Sequence, residues 1–251
     1  MQVTVVETSL GSIPLWAPPG ALASARPMVL AITGAWAEPQ DMIKLPAVVA
    51  PAWDAAVMRL PGNGTPPLAE TSIAAWARAV DQMVARAFAG RAVVLVGLSV
   101  GALVALGVRT SQVRRVLALE PPLVMSKLWP MEPVLRRRWR EDPAARPFIE
   151  QVFGVMGEGR EERAYFGLFA PGAPPAEVVV GETPLYPVRH TERFPSFVDG
   201  PERAWLAAQP GVEVHVAPDA GHNIHVHAQG FLRDTLMSAL DKALAAAEPS
   251  G

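Results

Sequence analysis

The 251-residue sequence contains no cysteine. Disulfides, cysteine-ligated zinc, iron–sulfur clusters and a thiol nucleophile are therefore excluded. Surplus charge is also lacking. The 22 basic and 24 acidic residues leave a formal net charge of −2, which gives no electrostatic case for nucleic acid or an anionic membrane as partner. No uninterrupted apolar run reaches the ~18 residues of a membrane span. The opening Met1-Gln2-Val3-Thr4-Val5-Val6-Glu7 has neither a basic start nor a long apolar stretch, so no signal peptide is expected, and a cytoplasmic protein is. With 18% charged and 50% hydrophobic residues, the chain is also too apolar and too weakly charged to stay disordered.

What is abundant is proline, 26 residues, paired at Pro18-Pro19, Pro66-Pro67, Pro121-Pro122 and Pro174-Pro175, where it punctuates turns and loops. Between these breaks the patterns alternate. Residues 2–8 and 12–17 read as two short strands around a turn at Gly11. The continuous apolar runs 27–33 and 92–96 read as strands buried on both faces, and 52–60, 114–119, 177–180 and 212–217 as further strands. Residues 71–89 have helical spacing, with Ile73, Trp76, Val80, Met83, Val84 and Ala87 on one stripe and Thr71 or Ser72 as N-cap. Residues 100–109, 200–209 and 228–247 read as helices, the last with Phe231, Leu232, Leu236, Leu240 and Leu244 on its stripe. Repeated alternation of strand and helix defines an α/β protein with a mostly parallel sheet.

Residues 121–175 interrupt the alternation. They hold seven of the 17 aromatic residues and no strand pattern. We expect a helical cap inserted at 121–175 into a core formed by 1–120 and 176–251, with a few extra core helices as the alternative. The run Arg136-Arg137-Arg138-Trp139-Arg140 reads as a solvated helix face.

Gly97-Leu98-Ser99-Val100-Gly101 matches GxSxG at the junction of a buried strand and a helix, the context of a nucleophile elbow. Such a turn needs small neighbours, which Gly97, Gly101 and Ala102 supply. It presents the serine hydroxyl at a helix N-terminus, where the dipole and the Val100 N–H can stabilise an oxyanion. A nucleotide-binding turn does not fit, because Gly97, Gly101 and Gly107 do not make GxGxxG and no GxxxxGK[ST] occurs.

A base for Ser99 belongs on a loop after a late strand, since the carboxyl ends of neighbouring parallel strands open on one edge. His222, preceded by Gly221, stands there. His225 and His227 read as surface or helix-approach residues, His215 as a strand residue and His190 as a loop residue. His222, His225 and His227 give HxxHxH, but no Asp completes an HxHxDH metal loop and HExxH is missing, so neither metal nor cofactor is expected.

In this order the motifs resemble the α/β-hydrolase superfamily over nearly the whole chain. Thr33-Gly34 follows an early strand where many members have His-Gly, Leu60-Pro61-Gly62-Asn63-Gly64 stands for the Gly-x-Gly turn, Ser99 for the elbow serine and Gly221-His222 for the late Gly-His. The resemblance implies a second oxyanion N–H at Ala35, with Trp36 beside the pocket; Leu98 and Trp129 are further substrate-binding candidates. Members usually place the acid in a Gly-x-x-Asp after the penultimate strand. Here that stretch is Gly181-Glu182-Thr183-Pro184, with Pro184 in the acid's place. Some members carry the acid after the strand that follows the elbow, where Glu120 stands. Glu120 is therefore the first choice, with Glu182 and Asp199 as the other acids, and Asp219 is expected to cap its own loop.

The implied function is hydrolysis of a carboxylic ester of a small to medium apolar molecule through an acyl-enzyme. Thioester or carbon–carbon cleavage would use the same residues. A non-catalytic ligand-binding protein on the same fold is the reading from another class. A small molecule is the expected partner in each case, and oligomeric state is left open.

Overall fold

The structure, a computed structural model, describes residues 1–42, 49, 52–185 and 194–246. The apolar runs become the strands of one eight-stranded sheet. Gln2–Thr8 (β1) and Gly11–Ala17 (β2) form an antiparallel hairpin, and Met28–Ile32 (β3), Asp54–Met58 (β4), Val93–Leu98 (β5), Val113–Leu119 (β6), Ala176–Gly181 (β7) and Val212–Ala217 (β8) follow. The spatial order is β1-β2-β4-β3-β5-β6-β7-β8, with β2 antiparallel to β4 and all later pairs parallel.

Strict alternation divides the strands between two faces. Met28, Leu30 and Ile32 join one buried cluster with Leu95, Val116, Ala118 and Val178. Val29 and Ala31 join the other with Val94, Val96, Leu98, Leu117 and Val179. A one-residue slip of register would exchange the two sets.

Helices cover both faces. Ile73–Ala87 (α1) is capped by Ser72, whose side chain accepts from Ala75 N–H at 3.0 Å. It buries Trp76, Val80, Met83 and Val84 as its spacing predicts. Val100–Gly107 (α2) is apolar all round and packs on the same face. Residues 121–175 contribute Glu132–Glu141 (α3) and Arg146–Phe153 (α4), flanked by 3₁₀ turns at Met125–Met131, Pro143–Ala145 and Phe166–Phe169. Their side chains Leu135, Phe148, Ile149 and Val152 belong to the same cluster as α1 and α2. Phe148 meets Trp76 of α1 at 5.3 Å between ring centroids. Within the arginine run, Arg137, Arg138 and Arg140 are exposed as expected. Arg136 is not, because its guanidinium binds the carbonyls of Met156, Gly157 and Gly159.

Gly200–Ala207 (α5), Ile224–His227 (α6) and Gln229–Ala245 (α7) complete the chain. On α7 the expected stripe is corrected at its end: Leu232, Leu236 and Leu240 are buried, but Leu244 is 40% exposed and Ala243 is buried instead. Successive i+4 steps advance about 40° around a 3.6-residue helix, so three of them carry Leu244 off the face. No helix among the described residues is long and apolar enough to cross a membrane.

The order of strands locates the site. From β3 the chain moves outward to β4, then crosses back so that β5 lies on the other side of β3. The loops after β3 and β5 therefore diverge, and a crevice opens at their carboxyl ends. Thr33-Gly34 and Ser99 both lie there.

Candidate active site

Ser99 leaves β5 with φ 54° and ψ −119°, a conformation that costs a residue with a Cβ about 1–3 kcal/mol. The neighbours show why the turn needs glycine. A Cβ on Gly97 would lie 2.5 Å from Ala102 Cα, and one on Gly101 would overlap the carbonyls of Ile32 and Thr33. The Ser99 N–H donates to Leu119 O at 2.8 Å, and its carbonyl accepts from Ala102 N–H at 2.9 Å. The next residue, Val100, opens α2, and the first amides of a helix have no intrahelical acceptor.

The loop after β3 supplies the opposite wall. Trp36 is left-handed, with φ 56°. Its N–H donates to Asn63 Oδ1 at 3.1 Å, and Asn63 Nδ2 donates to Gly34 O at 3.4 Å. The Trp36 amide is therefore committed to Asn63, a buried side chain from the turn after β4, while Ala35 and Gly34 line the cavity. The ring of Trp36 stacks on Phe153 of α4 at 5.3 Å and 10°, with the Arg138 guanidinium 5.0 Å from it.

Glu120 follows β6 and is fully buried, with φ 51°. Its Oε1 accepts from Gly181 N–H and Ser196 Oγ, each at 2.6 Å. Its Oε2 accepts from Phe197 N–H at 3.1 Å and lies 3.3 Å from His222 Nδ1. His222 is held in turn by its N–H, which donates to Phe194 O at 2.8 Å, and by the rings of Phe194 and Phe197. The other acids turn elsewhere. Glu182 accepts from Asp219 N–H at 2.9 Å, and Asp199 pairs with Lys127 at 2.9 Å. Asp219 itself is exposed.

Ser99 and His222 line one cavity of about 330 Å³, together with Gly34, Ala35, Trp36, Leu98, Leu128, Met131, Phe153, Phe194 and Phe197. Trp129 is corrected: it is absent from this lining, and its ring lies against the Arg160 guanidinium at 4.6 Å. Leu128 and Met131, from the same 3₁₀ turn, take its place. His225, expected as a surface or helix-approach residue, is half-buried on Ile224–His227 and also lines the cavity. His190 lies outside the described residues. Asn63, Phe194, Ser196 and Phe197 were not recognised from the sequence; only Asn63, between two glycines of a motif, carried a signal.

Among the described residues His222, His225 and His227 do not form a group close enough to share an ion. Among the described residues Glu177, Glu213 and His215 do lie close enough to share an ion, on β7 and β8 away from the cavity. There Lys242 Nζ already bridges the carboxylates, at 3.1 Å from Glu177 Oε1 and 2.6 Å from Glu213 Oε2.

Residues 29–234 match the model of the alpha/beta hydrolase family, and the chain belongs to that family. Solved structures agree on the fold. The carboxylesterase CesB (YbfK) from Bacillus subtilis superposes with a TM-score of 0.66 at 16% identity, over 95% of this chain and 91% of that one. A thermophilic esterase from Thermogutta terrifontis does so with 0.66 at 16% identity, over 97% and 99%. The thioesterase domain of the curacin biosynthetic pathway gives 0.60 at 16% identity, over 95% and 99%. A search of curated proteins finds no match.

Proposed function

We propose that the protein is a serine hydrolase that cleaves a carboxylic ester of a small to medium apolar molecule through an acyl-enzyme. The observation that carries this reading is the joint placement of Ser99 and His222 on one cavity, with buried Glu120 on the far side of the imidazole. In the proposed mechanism Ser99 Oγ attacks the ester carbonyl and His222 Nε2 takes the hydroxyl proton. Glu120 accepts from Nδ1–H, which fixes the tautomer and stabilises the imidazolium. The N–H groups of Val100 and Ala35 receive the oxyanion; Ala35 is the free choice in its loop because the Trp36 N–H is bound to Asn63. His222 then protonates the departing alcohol, and a water molecule activated by the same imidazole releases the acid.

Residues 121–175 act as the cap in this reading, supplying Leu128, Met131 and Phe153 to the wall. With Trp36 and Leu98 they favour an apolar acyl or alcohol group of modest size. The esterase titles among the structural neighbours support ester chemistry, and the thioesterase domain keeps a thioester as the second substrate to try. Pro184, where the family acid usually stands, favours the rival reading of a non-catalytic binding protein. A panel of p-nitrophenyl esters of increasing acyl length, with matched thioesters, separates the two. The hydrolase reading expects turnover that disappears in Ser99→Ala. Turnover equal in wild type and Ser99→Ala, or none at all, favours the binding protein.

A further inference from the structure

We propose that Ser196 is a positioning residue for the acid–base pair, acting on catalysis through Glu120. This inference rests on the hydrolase reading above. Ser196 is fully buried and lies 76 residues along the chain from its partner. Its hydroxyl has one proton and two acceptors in reach, Glu120 Oε1 at 2.6 Å and Val198 O at 3.1 Å. The carboxylate is both closer and charged, so it takes the proton. The hydroxyl oxygen accepts from Val198 N–H at 3.2 Å, which orients it further.

Among the described residues the carboxylate thus has two partners on each oxygen: Gly181 N–H and Ser196 Oγ on Oε1, Phe197 N–H and His222 Nδ1 on Oε2. Two are backbone amides and one is the base itself. Ser196 is the remaining side chain, and with Gly181 it pins Oε1 so that Oε2 faces the imidazole. The same short segment holds the base, because Phe194 O accepts the His222 N–H at 2.8 Å. It is tied to the loop after β7 by Ser196 N–H donating to Thr183 O at 2.8 Å and by the Pro184–Ser196 bridge. The loop that lacks the usual acid at Pro184 therefore delivers a hydroxyl that braces an acid placed after another strand.

The test compares Ser196→Ala and Ser196→Thr in the wild-type background, and Ser196→Ala in a Glu120→Gln background, using p-nitrophenyl acetate. A hydrogen bond to a charged group predicts a fall in kcat of about 10- to 100-fold for Ser196→Ala, with KM changed less than about 2-fold. Ser196→Thr, which keeps the hydroxyl, recovers part of the loss. In the Glu120→Gln background Ser196→Ala changes kcat by less than about 2-fold, because the group it acts through is gone. The proposal is overturned by wild-type kcat in Ser196→Ala, or by an equal loss in both backgrounds. An indifferent Ser196→Ala in an active enzyme removes this inference alone; an inert wild type removes the hydrolase reading with it.

Discussion

Asp54 begins β4 at the amino end of the sheet, and Glu120 follows β6 at the carboxyl end; both carboxylates are buried, but they are satisfied differently. Asp54 is paired with permanent cations. Its Oδ2 accepts from Arg91 Nη2 at 2.7 Å, its Oδ1 contacts Arg26, and Arg91 also bonds the carbonyls of Arg26 and Ala21. Burial lowers the pKa of Arg91, and the Asp54 charge opposes that shift. Among the described residues Glu120 has no arginine or lysine as a hydrogen-bond partner; neutral amides and one hydroxyl hold it, and the fourth contact is an imidazole that can gain and lose a proton. A carboxylate already neutralised by guanidinium groups has little left to offer a transient imidazolium. One held by neutral dipoles keeps its charge available for that purpose. The first arrangement suits a tie within the fold, the second a working acid.

Removing the proposed nucleophile should have the largest effect. Ser99→Ala is expected to lower ester turnover by about 10⁴-fold or more while melting near wild type, as read by kinetics and calorimetry. The paired neutralisations come next and test the contrast directly. Glu120→Gln should cost about 10²- to 10⁴-fold in kcat with a smaller loss of stability than Asp54→Asn. Asp54→Asn should do the reverse: it leaves Arg91 buried without its charge partner, a cost of about 3–5 kcal/mol in denaturant unfolding, yet specific activity below the transition stays within about 2-fold. If the two variants exchange these outcomes, the comparison fails. Away from both sites, Ser72→Ala removes the cap of α1 and should cost about 1 kcal/mol with no change in activity. The smallest effect concerns pH. Hydrogen bonding to Lys242 lowers the pKa of half-exposed Glu213, so this pair's contribution is present above the ordinary carboxylate range and lost as pH falls through the lowered value. Glu213→Gln should remove that acid-side dependence, worth a few tenths of a kcal/mol at most, since solvent screens the pair.

The parallel strands could be read in the sequence because burial on both faces leaves unbroken apolar runs, as in Met28–Ile32 and Val93–Leu98. The elbow was legible because its steric demand falls on residues adjacent in the chain, Gly97, Ser99 and Gly101. That Glu120 follows β6 and His222 follows β8 could be read from the strand order; that they meet, at 3.3 Å, could not. What failed were matters of direction and long-range contact. Trp129 and Leu128 are neighbours in sequence, and only the path of a 3₁₀ turn decides which one lines the cavity. Leu244 continues an i+4 series that winds off the buried face. Ser196 and Asn63 owe their importance to partners 76 and 27 residues away, with no fixed spacing to announce them.

The central claim is that Ser99 is an activated nucleophile with His222 as its base. Intact-mass labelling by a small fluorophosphonate, on wild type, Ser99→Ala and His222→Ala, tests it most directly. The account predicts one adduct on wild type, none on Ser99→Ala and slow labelling of His222→Ala. A folded wild-type protein that takes no adduct, or one that labels as fast without His222, would contradict it.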